Sequence, residues 1–315
     1  MKIVDVVDGG MLATIQDLGR YGYQRYGVPT SGAMDRFSLR AANRLVGNPD
    51  EAAGLEMTLV GPRLRFVAPA TIAVTGADLG ARLDGSALPT WQSVLVETGA
   101  EIWFAGPASG IRAYLAVAGA FDVPLVLGSR STYTRAKLGG LEGRRLQAGD
   151  ALHVASERPV LLGGTLHLPA AHRPAYGHAC ALRVVLGPQD DRFTAAGIET
   201  FLSSTFTVTP QSDRMGYRMS GPRIEHLRGP DLISDGTPFG AVQVAGDGVP
   251  IVLLADRGTA GGYTKIATVI GPDIPKLTQA VPGDAVTFVA VGLDEAYAAV
   301  REQERRLAAI TPIGR

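Results

Sequence analysis

Short runs of apolar, β-branched and aromatic residues recur along the whole chain, and most of them end at Gly, Pro or Asp. Several alternate with a period of two, which is typical of strands with one buried face. The segments between them are mostly too short for the helices of parallel crossovers, so the pattern favours antiparallel sheets or closed barrels. The runs are Leu64–Val67, Thr71–Thr75, Ser93–Glu97, Glu101–Phe104, Arg112–Val117, Leu182–Leu186, Thr205–Thr209, Ile251–Leu254, Lys265–Ile270 and Ala285–Val289.

Turn-forming residues are unusually frequent. The chain carries 40 glycines and 20 prolines among 315 residues, whereas these two types together average about 12% of a protein. The polypeptide is therefore cut into many short segments, which again favours β structure. We predict a mainly β fold with a few helices, in a chain long enough for two modest domains.

Three segments have helical periodicity. Asp35 can cap a helix with Phe37, Ala41 and Leu45 on one face, and Gly47 with Pro49 would end it. The two others run from about Gln189 to Leu202 and from Asp294 towards the C-terminus. The latter two have the apolar stripe of packing elements, whereas the first turn of the Asp35 helix adjoins the polar segment Thr14–Asp35.

The segment His153–Ala181 has the composition of a domain junction. It holds four of the five histidines, three prolines and little periodicity. We place the boundary near residue 165 and predict two halves, 1–165 and 166–315. The histidines of this segment are better explained as solvated linker residues than as metal ligands, and we predict no metal site.

Charge and hydropathy exclude several classes of function. Thirty Lys and Arg residues balance thirty Asp and Glu residues, and the basic residues form no concentrated patch, which argues against a nucleic-acid partner. No apolar run approaches the ~20 residues of a membrane span, and acidic residues interrupt the N-terminus, so we predict a cytoplasmic protein. The lone Cys180 permits no internal disulfide, and its apolar surroundings favour a buried structural thiol over a nucleophile.

The segment Thr14–Asp35 has no helix or strand periodicity and alternates polar side chains with glycines. Such a composition is typical of a site-forming loop, although an ordinary surface loop has the same one. Similar Gly-rich polar blocks follow near residues 130, 218, 235 and 256. None matches a phosphate-binding P-loop or a Gly-x-Ser-x-Gly nucleophile turn.

The acidic and arginine residues of these blocks are the candidates for chemistry. Arg20 or Arg218 could bind a substrate carboxylate through two parallel hydrogen bonds. The carboxylates of the blocks could orient or deprotonate water or pair with those arginines, or they could close turns and cap helices. Glu56 fits a structural partner of an arginine. We predict Asp17, Arg20, Arg218 and Asp256 as catalytic residues, and as substrate-binding residues Gln16, Ser31, Asp35, Arg130, Tyr217, Asp235, Gln243 and Tyr263.

These blocks, in this order, resemble the allophanate hydrolase subunit 2 family, which is related to biotin-dependent carboxyltransferases. The resemblance is carried by Thr14–Asp35, Leu127–Tyr133, Leu138–Arg144, Arg214–Arg218 and Ser234–Gln243 through Gly261–Tyr263. It implies two cyclophilin-like β-barrel domains. The chain departs from the family pattern at Ala245 and at Gly258, and no side-chain role can be carried over to Gly258.

The resemblance also implies a function. Family members include the C subunit of an ATP-dependent 5-oxoprolinase, which with A and B subunits opens 5-oxoproline to L-glutamate, and we expect this activity. ATP would be used by the complex and not bound by this chain alone, so a B-type subunit would complete the site. Two alternatives stay open: a biotin-dependent carboxyltransferase component acting on a urea-like amide, with biotin on a partner, and a non-catalytic regulator that binds a kinase inhibitor.

Overall fold

The computed structural model of the chain describes residues 1–156 and 164–313. Strands dominate, and four α-helices lie within those ranges. The prediction of a mainly β fold with a few helices is therefore confirmed. The chain divides into two compact units, one made of Met1–Tyr21, Ser31–Ala175 and Glu304–Arg315, the other of Gly22–Thr30 and Tyr176–Gln303.

The domain boundary predicted near residue 165 lies in a segment of which only part is described. Residues 157–163, just before it, lie outside the described residues. The division into 1–165 and 166–315 therefore stays a prediction.

Two large β-sheets and one two-stranded sheet form the first unit. One large sheet has six strands in the order β11-β1-β4-β9-β6-β7, and the other has five in the order β2-β3-β10-β5-β8. In chain order the strands are β1 (Lys2–Asp8), β2 (Leu12–Gln16), β3 (Gly54–Thr58), β4 (Arg63–Phe66), β5 (Ala70–Asp78), β6 (Ala81–Leu83), β7 (Ser86–Ala87), β8 (Ser93–Val96), β9 (Glu101–Phe104), β10 (Ser109–Val117) and β11 (Ala151–His153), followed by the short β12 (Leu166–His167).

Apolar side chains of both sheets meet in one core. Strand β4 shows the pattern, since Leu64 and Phe66 point into the core while Arg63 and Arg65 are exposed and both bind Glu101 on β9. The central strands β5 and β10 are buried on both faces because a helix covers their outer side. Burial on both faces explains why their sequences are almost continuously apolar.

The second unit contains a closed barrel of seven strands. Its hydrogen-bonded order is β13-β20-β14-β15-β18-β17-β19, and β13 pairs with the last residues of β19 to close the ring. Strand β16 pairs with the first residues of β19, on the edge away from β17. The strands are β13 (Ala179–Leu186), β14 (Phe206–Val208), β15 (Gly216–Ser220), β16 (Asp231–Gly236), β17 (Ala241–Val244), β18 (Pro250–Leu253), β19 (Ala260–Val269) and β20 (Ala285–Ala290). The last strand of the chain, β21 (Thr311–Pro312), belongs to the first unit and pairs with β12.

One pairing in the barrel differs from the antiparallel expectation. Strand β13 lies parallel to β20, with Leu182 opposite Phe288. The two strands are about a hundred residues apart in the chain, so the direction of their pairing depends on barrel closure and not on a short connection.

The helices are α1 (Arg36–Leu45), α2 (Ala195–Ser203), α3 (Ile274–Thr278) and α4 (Leu293–Ala308). The first matches the prediction, and α4 begins one residue before the predicted Asp294. The second begins later than predicted, because Thr194 caps it by accepting from the Gly197 amide. No helix within the described part of the chain is both long and apolar enough to cross a membrane.

Candidate functional site

Asp17 follows strand β2 and is saturated with hydrogen bonds. Its carboxylate accepts from the Ser129 hydroxyl at 2.8 Å, the Gly19 amide at 2.8 Å, the Arg130 amide at 2.6 Å and the Ser131 hydroxyl. The residue is 8% exposed. These donors occupy both carboxylate oxygens, so Asp17 joins the turn after β2 to the segment 129–131 and acts as a positioning group.

Arg20 is the largest fully buried side chain of the described residues. Its Nε donates to the Val126 carbonyl and its Nη2 to the Ser131 carbonyl, both at 2.8 Å. A Cβ at Gly139, where φ is +68°, would lie 2.6 Å from Nη2, so only glycine fits beside the guanidinium. Arg20 thus binds backbone carbonyls of the segment that Asp17 holds.

Gln16 and Ser31 are fully buried. Gln16 Nε2 donates to Thr14 Oγ1 and to the Thr132 carbonyl, both at 3.0 Å. Gln16 Oε1 and Ser31 Oγ lack a hydrogen-bond partner among the described residues. Buried polar atoms in this condition are uncommon, and they keep the capacity to bind a water or a ligand atom.

Asp35 caps helix α1, as the sequence predicted. Its Oδ1 accepts from the Ser38 amide at 2.9 Å and its Oδ2 from the Ser38 hydroxyl at 2.7 Å. The Asp35 amide donates to the Tyr114 hydroxyl, which donates at 2.7 Å to Glu56; the Met34 amide reaches the same Glu56 oxygen. Burial, together with the nearby carboxylates, raises the pKa of Tyr114 well above its usual value, so this phenol stays a hydrogen-bond donor.

In the second unit, strand register aligns three polar side chains across the barrel. Arg218 on β15 is opposite Ile251 on β18, Ile251 is opposite Gln243 on β17, and Gln243 is opposite Lys265 on β19. Directly opposed residues of antiparallel strands project from the same face. We call this set (Arg218, Ile251, Gln243 and Lys265) the polar row; Arg218 is its exposed end, and Lys265 is its buried end at 1% exposure.

The buried end of the polar row lies over a glycine. Asp235 on β16 is opposite Gly261, and its Oδ2 lies 3.3 Å from Lys265 Nζ. A Cβ at Gly261 would lie 2.7 Å from Gln243 Nε2 and 3.2 Å from Thr237 Cγ2. The absent side chain therefore provides the space that the Gln243 amide occupies. Hydrogen bonds from the Gly236 amide and from Lys265 lower the pKa of Asp235.

The other predicted residues of this unit have different positions. Asp256 is buried and forms a two-point ion pair with Arg214, at 2.9 Å to Nε and 3.3 Å to Nη2. Tyr217 is buried, and its hydroxyl faces the Thr278 carbonyl at 3.4 Å. Tyr263 is 41% exposed. Asp256 and Tyr217 thus contribute to packing and structure, while Tyr263 remains accessible.

The structure therefore groups seven of the twelve predicted residues into two sets, one in each unit. Gln16, Asp17, Arg20 and Arg130 share one hydrogen-bonded cluster, and Arg218 and Gln243 share the polar row with Asp235 at its end. Sequence reasoning missed Lys265, because a lysine four residues after Gly261 suggests only a poor match to a phosphate loop. Strand alternation on β19 was the signal that could have placed it beside Gln243.

Within the described ranges, Cys180 and the histidines are not grouped into a metal centre. Burial raises the pKa of the Cys180 thiol to about 11, so the thiolate is scarce at neutral pH. His178 Nδ1 lies 2.8 Å from Asp284, and His167 contacts the Thr311 carbonyl. No three His, Cys, Asp or Glu side chains of the described residues are grouped to hold a metal ion.

Comparison with known proteins agrees with this architecture. A family model described as carboxyltransferase domain, subdomain A and B, matches residues 26–290, and the chain belongs to this family. The family predicted from the sequence is thus confirmed. The chain is 37% identical over 303 residues to the 5-oxoprolinase C subunit of Escherichia coli (strain K12), and the match covers 96% of each chain.

Two further relatives extend the comparison. The 5-oxoprolinase C subunit of Haemophilus influenzae is 37% identical over 302 residues, again with 96% of each chain covered. The crystal structure of the K. lactis urea amidolyase superimposes with a TM-score of 0.90 at 30% identity, covering 97% of this chain and 20% of that one. The fold thus occurs both as a separate chain and as part of a much longer enzyme.

Proposed function

We propose that this chain is the C subunit of an ATP-dependent 5-oxoprolinase, which opens 5-oxoproline to L-glutamate together with A and B subunits. The observation that carries the proposal is the match to two 5-oxoprolinase C subunits, which covers 96% of this chain and 96% of each relative. Because the lengths agree, these two 5-oxoprolinase relatives have no additional domain of substantial size that this chain lacks.

The proposed chemistry needs cations and oriented dipoles. A lactam is a poor electrophile, and ATP can activate its oxygen as a phosphate before water attacks. In this chain the polar row offers Arg218 and Lys265 as cations and Gln243 as an amide donor. Arg218 can reach the phosphoryl group of an activated lactam because its side chain is exposed on β15.

The expected nucleotide, ATP, fits a site shared with a partner better than a site within this chain. Helices bind phosphate through unpaired amides at their N-termini. Here Asp35 already accepts from the first turn of α1, and Thr194 accepts from that of α2. One first-turn amide of each of these two helices is therefore occupied by the protein's own side chain. The sequence also lacks a phosphate-binding P-loop, which supports a phosphate site completed by the B-type subunit.

A carboxyltransferase is the second candidate, and the family description together with the K. lactis urea amidolyase favours it. In that case the polar row would bind a urea-like amide while biotin arrives on a partner protein. The amidolyase is a far longer chain, of which this one spans 20%. The difference in length favours the separate 5-oxoprolinase subunit.

Reconstitution of the three subunits tests the proposal. Purified A and B subunits are mixed with ATP and 5-oxoproline, with and without this chain, and glutamate release is measured. We expect release to depend on this chain. Equal rates in the two mixtures would reject the catalytic role and leave the regulatory alternative, and ATP-dependent carboxylation of urea with a biotinylated partner would support the carboxyltransferase.

A further inference from the structure

The surrounding residues use only part of the hydrogen-bonding capacity of the Lys265 ammonium. Its side chain is 1% exposed, yet within the described part of the chain its Nζ has one hydrogen-bond partner, Asp235 Oδ2, at the long distance of 3.3 Å. A lysine ammonium has three hydrogens to donate. A buried ammonium with spare donors favours a further acceptor or a better-placed anion.

The partner of this buried cation, Asp235, also accepts a 2.6 Å hydrogen bond from the Gly236 amide and one from the Gln189 side chain, yet most of its side chain stays exposed. The Asp235 side chain is 57% exposed and belongs to β16, which among the described strands pairs only with β19. If the Asp235 carboxylate leaves Lys265, water can solvate it at little cost. Lys265 has no such option, because its side chain is enclosed. Exchange of Asp235 for another carboxylate therefore keeps the buried charge compensated.

The neighbourhood of Lys265 suits a planar carboxylate. Gln243 lies opposite Lys265 in register, and its Nε2 has a long contact of 3.5 Å to the Tyr263 carbonyl. The Gln243 amide fills the space that a Gly261 side chain would take, and this holds the amide donor beside Lys265. One ammonium and one amide donor on the same face can bind the two oxygens of a carboxylate.

We propose that Lys265 and Gln243 form a binding site for a small carboxylate and that Asp235 occupies this site as an internal, exchangeable substitute. An incoming carboxylate displaces the Asp235 side chain from Lys265. No covalent step is involved. The identification of that ligand as the carboxylate of 5-oxoproline rests on the proposed function; the site itself does not.

Chemical rescue of an Asp235 variant tests the exchange. In Asp235→Ala the buried Lys265 lacks its carboxylate, so we expect a lower melting temperature for the full-length chain. Sodium acetate should restore stability in a saturable manner, by about 3 °C at a concentration about tenfold above its Kd, while sodium chloride at equal ionic strength should not. 5-Oxoproline should act at lower concentration than acetate.

Two variants locate the effect. Asp231→Ala removes another carboxylate of β16, opposite Tyr263, and should show no acetate-specific stabilisation. In the double variant Asp235→Ala with Lys265→Met the acetate effect should disappear, because the cation is gone. Equal effects of acetate and chloride on Asp235→Ala, or an acetate effect that survives Lys265→Met, would overturn the site.

The result separates the two proposals. Acetate rescue without any response to 5-oxoproline would keep the carboxylate site and contradict its assignment to this substrate. Absence of rescue in a chain that still supports glutamate release would reject the site and leave the proposed function standing.

Discussion

At the residue scale, the buried polar side chains fall into two kinds. Asp17 and Asp256 are satisfied by the protein, the first through four donors and the second through Arg214. Lys265 and the oxygens of Gln16 and Ser31 retain binding capacity. Ligand-binding groups belong to the second kind, because a saturated carboxylate gains little from a new partner.

Replacement of Asp17 by Ala should therefore affect stability first. The donors of Ser129, Ser131 and two backbone amides would lose a buried acceptor, and we expect a loss of about 2–4 kcal/mol in the free energy of unfolding. Urea denaturation followed by circular dichroism measures it. Asp122→Ala, an exposed carboxylate a few residues before the same segment, is the control and should stay within about 0.5 kcal/mol. A loss of activity in Asp17→Ala at unchanged stability would instead support direct catalysis.

Arg218 should behave in the opposite way. Its guanidinium is exposed on β15, so Arg218→Ala should leave the melting temperature nearly unchanged. If Arg218 binds substrate, turnover by the reconstituted subunits should fall at least tenfold, a loss of about 1.4 kcal/mol or more in transition-state stabilisation. Arg223→Ala, at another exposed arginine of this unit, is the matched control. Full activity of Arg218→Ala would remove Arg218 from the site.

The sequence could predict which residue types belong to the candidate site, but not which of their side chains contact one another. Asp35 as a helix cap followed from local spacing alone. The pairing of Asp256 with Arg214, and not with Arg20 or Arg218, depends on where β18 ends relative to β15. The Lys265–Asp235 contact depends on the register of β16 with β19. Register across a barrel is set by long-range pairing, which local patterns do not contain.

At the element scale, helices with strong local signals were predicted best. Helix α1 has a capping Asp35 and ends near Gly47, whose φ is +73°. Ten of the 21 described β-strands were also predicted, since alternation and turns are local. The parallel pairing of β13 with β20 was not predicted, because barrel closure decides it, and the short helix α3 was not predicted either.

Asp273 links β13 to α3, and the link gives a pH-dependent stability. Burial alone would raise the pKa of its carboxyl, but hydrogen bonds from Arg183 and Lys276 outweigh burial and hold the pKa below its usual value. A depressed folded pKa stabilises the protein above the unfolded pKa of about 4, and this contribution is lost as the pH falls through the folded value.

Asp273→Asn should therefore cost about 2 kcal/mol in the free energy of unfolding at pH 7. The difference from the unchanged protein should shrink as the pH falls from about 5 towards about 3.5, a range around the unfolded pKa of about 4. Urea titrations across this range measure it. Asp191→Asn, an exposed carboxylate before α2, should show a small difference at every pH. A difference in the free energy of unfolding between Asp273→Asn and the unchanged protein that does not vary with pH would contradict the ion-pair explanation.

At the scale of the whole molecule, the chain resembles one part of a larger enzyme. It matches two 5-oxoprolinase subunits along nearly their full length, yet covers only 20% of the K. lactis urea amidolyase. In the amidolyase the same fold belongs to one long polypeptide. Under the proposed function, the remaining activities come from separate chains, and binding to them must replace the covalent connection.

Co-expression with a B-type 5-oxoprolinase subunit from the same organism should therefore give a stable complex. Side-chain caps occupy a first-turn amide of α1 and of α2, while the polar row carries cations that a phosphorylated intermediate needs. A partner that brings the nucleotide completes such a site. Gel filtration of the mixed proteins at micromolar concentration should show co-elution, and a B-type subunit from an unrelated oxoprolinase is the specificity control. Separate elution of the cognate pair at all concentrations up to this range would contradict a shared site.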